Sequence, residues 1–196
     1  MNSADRCELV VIGGSSGGLE ATLALLHALS EDYRIPTLLV LHQRANRVSG
    51  VPAMLAKHTH LHVLEPDDKQ RIEEGRLYVA PPNYHLLVEK EKILSLSSDD
   101  PVNYCRPAID VTLETAATAY GAGMVTCILS GANQDGACGA LTVKQKGGRV
   151  YVQNPDEAQV DVMPVAVTKM VAVDGELSLQ AMADMLNALP KSGRVR

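Results

Sequence analysis

A hydroxyl, an imidazole and a carboxylate each follow an apolar run in this chain. Ser15 comes after "LVVIGG", His42 closes "TLLVL", and Asp135 lies in the loop "GANQDGACG" beyond "MVTCILS". The three types are chemically complementary. A serine hydroxyl is a weak nucleophile until a base takes its proton. A histidine, with an ordinary pKa near ~6.5, can act as that base at neutral pH. A carboxylate behind the ring fixes its tautomer and stabilises the imidazolium that forms. The combination predicts hydroxyl-based acyl transfer, provided the fold brings the three together.

The surrounding pattern says how it would. The runs at Glu8–Ile12, "TLLVL", "MVTCILS" and "RVYVQ" are short, continuous and apolar. Helical spacing separates them: Leu19, Leu23, Leu26 and Leu29, then Ile109, Leu113 and Ala116–Ala117 behind Pro107. Buried strands alternating with helices predict an α/β fold, a doubly wound and mostly parallel sheet with helices on both faces. "LHVLE", "RLYVA" and "HLLVE" also read as strands, with "EKEK" turning into "ILSLS" as a small antiparallel hairpin addition. Further helices are expected over Val51–Lys57 with Ser49 and Gly50 at its start, through Lys146 up to Gly147–Gly148, near Pro164–Met170 and over Ser178–Leu189. The tail "KSGRVR" reads as frayed. Ligands of such sheets sit beyond the carboxyl ends of the strands, where Ser15, His42 and Asp135 fall.

Gly13–Gly17 matches G-x-S-x-G, the nucleophile elbow. On this reading Gly13 and Gly14 supply a turn with positive φ. Gly17 and Gly18 let substrate approach the start of the next helix, whose free N–H groups suit an oxyanion. Ser16 adds a hydroxyl donor. Dinucleotide binding fits less well, because Ser15 stands where the second glycine of G-x-G-x-x-G belongs and His42 stands where a ribose-binding acid belongs. No Gly-Lys followed by Ser or Thr marks a P-loop. A triad of Ser15 with His85 and Asp67 or Asp68 is the rival assignment, but His85 precedes a hairpin strand and the acids sit in the solvated run "DDKQRIEEG". His58, His60 and His62 alternate as if on one strand face, yet no cysteine or carboxylate completes a metal set. Cys105 lacks the glycines of an elbow. Arg106 either binds an acidic substrate region or braces the fold. Met163 and Met170 read as packing residues.

Composition narrows the classes. The chain has 196 residues, 46% of them hydrophobic, with no Phe or Trp and a net charge of −5. An acidic, aromatic-poor chain is a poor partner for nucleic acid. No apolar run reaches the roughly 20 residues of a membrane helix, and no signal-peptide core precedes Val10. Cys7, Cys105, Cys127 and Cys138 lack C-x-x-C spacing, and Cys7 and Cys127 lie in strand-like runs as buried thiols. A reducing, cytoplasmic setting follows as an expectation.

The motifs "IGGSSGG", "LH", "YVAPPNYHL", "PVNYCRPAID" and "SGANQDGACG" occur in an order and spacing that resemble the catalytic domain of the CheB family, the chemotaxis protein-glutamate methylesterases. The resemblance runs from about Val10 to about Pro164. It implies Ser15 as nucleophile, His42 as base and Asp135 as acid, with the Ala132 backbone N–H and the Ser16 hydroxyl as oxyanion donors. It also implies hydrolysis of glutamate methyl esters, and deamidation of glutamines, on chemoreceptor helices, with no metal or cofactor. The expected organisation is one catalytic domain over residues 1–196. No regulatory receiver domain is expected before Glu8, so control would come from elsewhere or from another chain. Gln43–Arg44 stands where Met-Pro is common, Cys105-Arg106-Pro107-Ala108 where His-Arg-Pro-Ser is, and Ala132–Asn133 where Met-Gly is. Asn133 is expected to tolerate positive φ in its loop. Two alternatives remain: a small-molecule esterase, distinguished by activity on aryl esters alone, and a nonhydrolytic binding module, distinguished by inertness to fluorophosphonates.

Overall fold

A computed structural model describes residues 6–42 and 50–190. The expectations on Ser49, on Gln43–Arg44 and on the "KSGRVR" tail lie outside the described residues.

The chain runs β1 (Leu9–Gly14), α1 (Gly18–His27), β2 (Thr37–Leu41), α2 (Val51–Leu55), β3 (His62–Leu64), β4 (Arg76–Val79), β5 (His85–Val88), β6 (Leu94–Ser97), α3 (Ile109–Tyr120), β7 (Met124–Ile128), α4 (Ala137–Gln145), β8 (Arg149–Gln153), α5 (Val162–Met170), β9 (Gly175–Leu177) and α6 (Leu179–Ala188). Seven strands form one sheet in the order β3-β4-β2-β1-β7-β8-β9. Every pairing in it is parallel. β5 and β6 pair antiparallel as a separate two-stranded hairpin. The α/β fold with its hairpin addition is therefore as the sequence predicts.

Alternation along β1 sorts the core into two layers. Leu9 and Val11 face one side, against Leu113, Ala116, Val143 and Val167 of α3, α4 and α5 and against Leu86 and Leu94 of the hairpin. Val10 and Ile12 face the other, against Leu25 and Leu26 of α1, Leu55 of α2 and Met182 and Leu186 of α6. Burying a Leu or Ile fully is worth about 1.5–3 kcal/mol, so these layers carry the fold without Phe or Trp. Local signals set the helix ends. Ser178 caps α6 by accepting from the Ala181 N–H at 3.1 Å. Gly147, with φ 85°, follows the end of α4.

From β1 the chain moves outward to β2 and then returns past β1 to β7. The crevice between β1 and β7 is thus the switch point of the sheet, where α/β folds place their ligands. β9 escapes sequence reading because Gly175-Glu176-Leu177 is too short to show a period. Only His62 of the three alternating histidines is in a strand. His60 bonds the Tyr33 carbonyl at 2.8 Å, so no shared face forms.

Candidate active site

Strand register brings Ser15 and His42 side by side. Gly14 pairs with Leu41 across β1 and β2, and each residue of interest follows directly. The His42 N–H donates to the Gly14 carbonyl at 3.2 Å, prolonging the ladder by one bond. On the other side of β1, the Ser15 N–H donates to the Ser130 carbonyl at 2.9 Å. Ser15 therefore sits between the ends of β2 and β7.

The glycines before and after it do different work from that expected. Gly13 and Gly14 are still strand residues, and the positive φ falls on Gly17, at 76°. Gly13 is required for space, since a Cβ there would lie 2.7 Å from Ile109 Cγ2. The space over Gly17 is taken by the protein's own Ser130 and Gln159 side chains, 2.6 and 2.7 Å from where a Cβ would sit, rather than left for substrate. Ser130 Oγ then donates to the Ser16 carbonyl at 2.7 Å, tying the serine loop to the end of β7.

His42 and Asp135 meet directly: Nε2 lies 2.7 Å from Asp135 Oδ2. The ring is 11% exposed and the carboxylate fully buried. A buried carboxylate needs donors, and Asp135 has them. Oδ2 also accepts from the Ile109 N–H at 2.6 Å. Oδ1 accepts from the Asp110 N–H and from Asn103 Nδ2, both at 3.1 Å. Ile109 and Asp110 open α3, so Asp135 supplies the cap that Ala108 cannot and sits at the positive end of the helix dipole. Burial pushes its pKa up, but the hydrogen bonds from His42, Ile109, Asp110 and Asn103 outweigh it and leave it below the ordinary carboxylate value.

Asp110, which sequence reading did not single out, returns the favour. Its Oδ1 accepts from the Gly136 and Gly139 N–H groups at 2.9 and 2.7 Å, capping α4. Asn103 bridges the two acids, donating at 2.9 Å to Asp110 Oδ2. Burial and the nearby Asp135 charge raise the Asp110 pKa to about 6 against the backbone donors. No local signal marks this role, because the helix that Asp110 caps is α4 and not its own.

Burial pulls the His42 pKa down, but the hydrogen bond to Asp135 and the contact with Cys105 overcome this and hold it up at about 9. Cys105 Sγ lies 3.5 Å from Nδ1, the ring nitrogen opposite Asp135. Among the described residues no hydrogen bond joins the Ser15 hydroxyl to the ring. Asn133, expected to serve through positive φ, does not adopt it. Its amide instead accepts from the Asp135 N–H at 3.2 Å and donates to Cys105 Sγ at 3.5 Å. The unusual residues at 105 and 133 thus touch each other.

The remaining candidates are placed as follows. Ser16 and Ala132 are exposed on the rim. Gly131, beside Ala132, is held by a 3.0 Å bond to the Val160 carbonyl. Arg106 Nη1 donates to the carbonyls of Ser98 and Asp99 at 2.7 and 2.9 Å, bracing the segment after β6. His85 is a buried strut, accepting from the Ala108 N–H at 3.2 Å, while Asp67 and Asp68 are exposed, so the rival triad does not assemble. Met163 is fully buried, but Met170 is 47% exposed. Among the described residues, the metal-ligating side chains that cluster are His42, Cys105 and Asp135 themselves. Both Asp135 oxygens already accept N–H groups. At least two cavities flank the cluster. One of about 200 Å³ is lined by His42, Asn83, Tyr104, Cys105 and Arg106. Another, of about 630 Å³, is lined by Asn103, Asp110, Gln134, Val162 and Met170 among others.

Comparison with known proteins agrees with this fold. The family model described as CheB methylesterase matches residues 10–186. A putative protein-glutamate methylesterase/protein-glutamine glutaminase of Leptospira interrogans is 39% identical over 185 residues, covering 94% of this chain and 96% of the relative. A protein-glutamate methylesterase/protein-glutamine glutaminase of Trichodesmium erythraeum is 31% identical over 183 residues, covering 91% of this chain and 52% of that protein. The crystal structure of the Thermotoga maritima CheB methylesterase catalytic domain superposes with a TM-score of 0.88 at 29% identity, covering 94% of this chain and 99% of that one. A family model that spans residues 10–186 and a solved catalytic domain that superposes over 94% of the chain agree that it belongs to the CheB methylesterase family.

Proposed function

We propose that the protein hydrolyses methyl esters of glutamate side chains, and deamidates glutamines, on helices of methyl-accepting chemotaxis receptors, with Ser15 as nucleophile, His42 as base and Asp135 as the acid behind it. The observation that carries the reading is the 2.7 Å bond between His42 Nε2 and Asp135 Oδ2, which leaves Nδ1 as the proton acceptor. Ser15 Oγ gives its proton to Nδ1 as it attacks the ester carbonyl. Asp135 stabilises the imidazolium. The developing oxyanion is met by N–H groups of the serine loop, the Ala132 N–H and the Ser16 hydroxyl. Collapse expels methanol, or ammonia from a glutamine, protonated by the ring. Water then follows the same path to free Ser15. The cavity beside Asp110, with Val162 and Met170 exposed at 46% and 47%, offers apolar surface to a substrate helix.

The test is methanol release from a methylated receptor fragment. The expected result is turnover by the native protein and a loss of about 10³-fold or more in Ser15→Ala. Undiminished release from that variant overturns the nucleophile assignment. Hydrolysis of aryl esters alone overturns the substrate.

A further inference from the structure

His42 Nδ1 faces a thiol. Cys105 Sγ stands 3.5 Å from it, and Asn133 Nδ2 approaches the same sulfur at 3.5 Å. Behind the ring, Asp135 holds Nε2 at 2.7 Å. A nucleophile within reach of a base that is itself oriented by a third group is the arrangement of an activated nucleophile. The amide of Asn133 adds a donor to developing negative charge on sulfur. Cys105 also has access: it is partly exposed and lines the cavity of about 200 Å³ with His42, Tyr104 and Arg106, Tyr104 being fully exposed. Two of the other three cysteines, Cys7 and Cys127, are buried in the core at 1% and 0% exposure. Cys138 is exposed on α4, where no hydrogen bond to a base is made among the described residues.

We propose that Cys105 is a second nucleophile on His42 and a modification site for hydroperoxides, whose oxidation switches the hydrolase off. With the ring neutral, Sγ gives its proton to Nδ1 and attacks the distal peroxide oxygen. The S–O bond forms as the O–O bond breaks. Sulfur loses two electrons to the peroxide, and the departing oxygen leaves as an alcohol, or as water from hydrogen peroxide, taking the proton from Nδ1. The product is a sulfenic acid whose oxygen lies beside the ring, where it occupies the nitrogen that Ser15 needs. A low-molecular-weight thiol reduces it back, giving water and a disulfide of the reductant. The switching half rests on the Ser15 reading above; the thiol chemistry does not.

The experiment treats the full chain with substoichiometric hydrogen peroxide, traps sulfenic acid with dimedone and maps the adducts by mass spectrometry, using Cys138 as internal comparison. Cys105 is expected to label about tenfold or more faster than Cys138, as fits a thiol beside a base. His42→Ala and the bulkier His42→Gln are expected to bring Cys105 down to the Cys138 rate. Continued silence of Cys7 and Cys127 reports that the variants are folded. Equal labelling of Cys105 and Cys138, or an unchanged Cys105 rate in both His42 variants, overturns the proposal. In parallel, fluorophosphonate labelling of Ser15 is expected to fall on peroxide treatment, to recover with dithiothreitol, and to show no such loss in Cys105→Ala. Fast Cys105 oxidation with Ser15 labelling unaffected overturns the switch. Absence of Ser15 labelling before any peroxide overturns the hydrolase reading and leaves the thiol result standing.

Discussion

Asp135 caps the helix that carries Asp110, and Asp110 caps the helix that follows Asp135. Each acid takes two backbone N–H groups from the other's helix, Ile109 and Asp110 in one direction, Gly136 and Gly139 in the other. The acid behind His42 is thus fixed by the same contacts that dock α3 on α4.

Asp110→Ala leaves the Gly136 and Gly139 N–H groups buried without an acceptor. That costs about 1–3 kcal/mol, read as a lower urea midpoint at unchanged slope. Asp110→Asn keeps an acceptor and is milder. Its pH dependence has a definite sign. A carboxyl raised to about 6 contributes stability that is complete below its unfolded value of 3.8 and is lost as pH rises through about 6. Relative to the native protein, Asp110→Asn therefore gains stability between about pH 4 and 7. A flat difference over that window removes the assignment.

In the proposed mechanism, activity depends on a neutral His42. A ring held at about 9 is mostly imidazolium at pH 7, so the rate of fluorophosphonate labelling at Ser15 climbs from pH 7 towards a plateau above about 9. Asp135→Asn removes the principal support of the charged ring and leaves its burial, so the limb moves to lower pH while the plateau drops by about 10³–10⁴-fold. A limb that stays in place would show that Asp135 does not set the base. The same ring stabilises the fold below pH 6.5, and that contribution fades as pH passes 9.

Close backbone approach explains one glycine and spares another. A Cβ at Gly139 would stand 2.6 Å from Leu113 Cβ and 3.0 Å from the Asp110 backbone, so Gly139→Ala pushes α4 off α3. The expected cost is about 1–3 kcal/mol, with slower labelling of Ser15. Gly50 meets nothing within 4 Å, and Gly50→Ala changes stability by less than about 0.5 kcal/mol. Thermal melts of the two variants decide it.

Ser130→Ala tests the loop that carries Ser15. Its hydroxyl donates to the Ser16 and Val160 carbonyls and accepts from the Val160 N–H. Losing it costs about 1–2 kcal/mol and lowers the labelling rate of Ser15, the residue preceding Ser16, while the His42 pH limb stays where it is. A shifted limb would mean that Ser130 acts on the base instead.

Much of this was legible in the sequence because parallel strands announce themselves. "TLLVL" and "MVTCILS" are buried on both faces and carry no polar alternation, so their ends, and hence His42 and the Asp135 loop, can be placed from residue types alone. β9 was not legible, being three residues at an edge. The work of the glycines was misread for a physical reason. Sequence shows that a side chain is missing, but not whether the gap admits ligand, a turn, or the protein's own Ile109 and Gln159. Asp110 and the contact between Cys105 and Asn133 depend on residues far apart in the chain meeting across two helix starts, which no local pattern encodes.

The bond from the His42 amide to the Gly14 carbonyl has an implication for how such a site can diversify. Positions 15 and 42 are spaced by the hydrogen-bond ladder of two central strands. On the proposed roles, sequence farther along the chain can change to suit a new acyl substrate while that spacing stays put. A one-residue slip between those strands, by contrast, would turn the imidazole to the opposite side of the sheet and abolish the chemistry in one move.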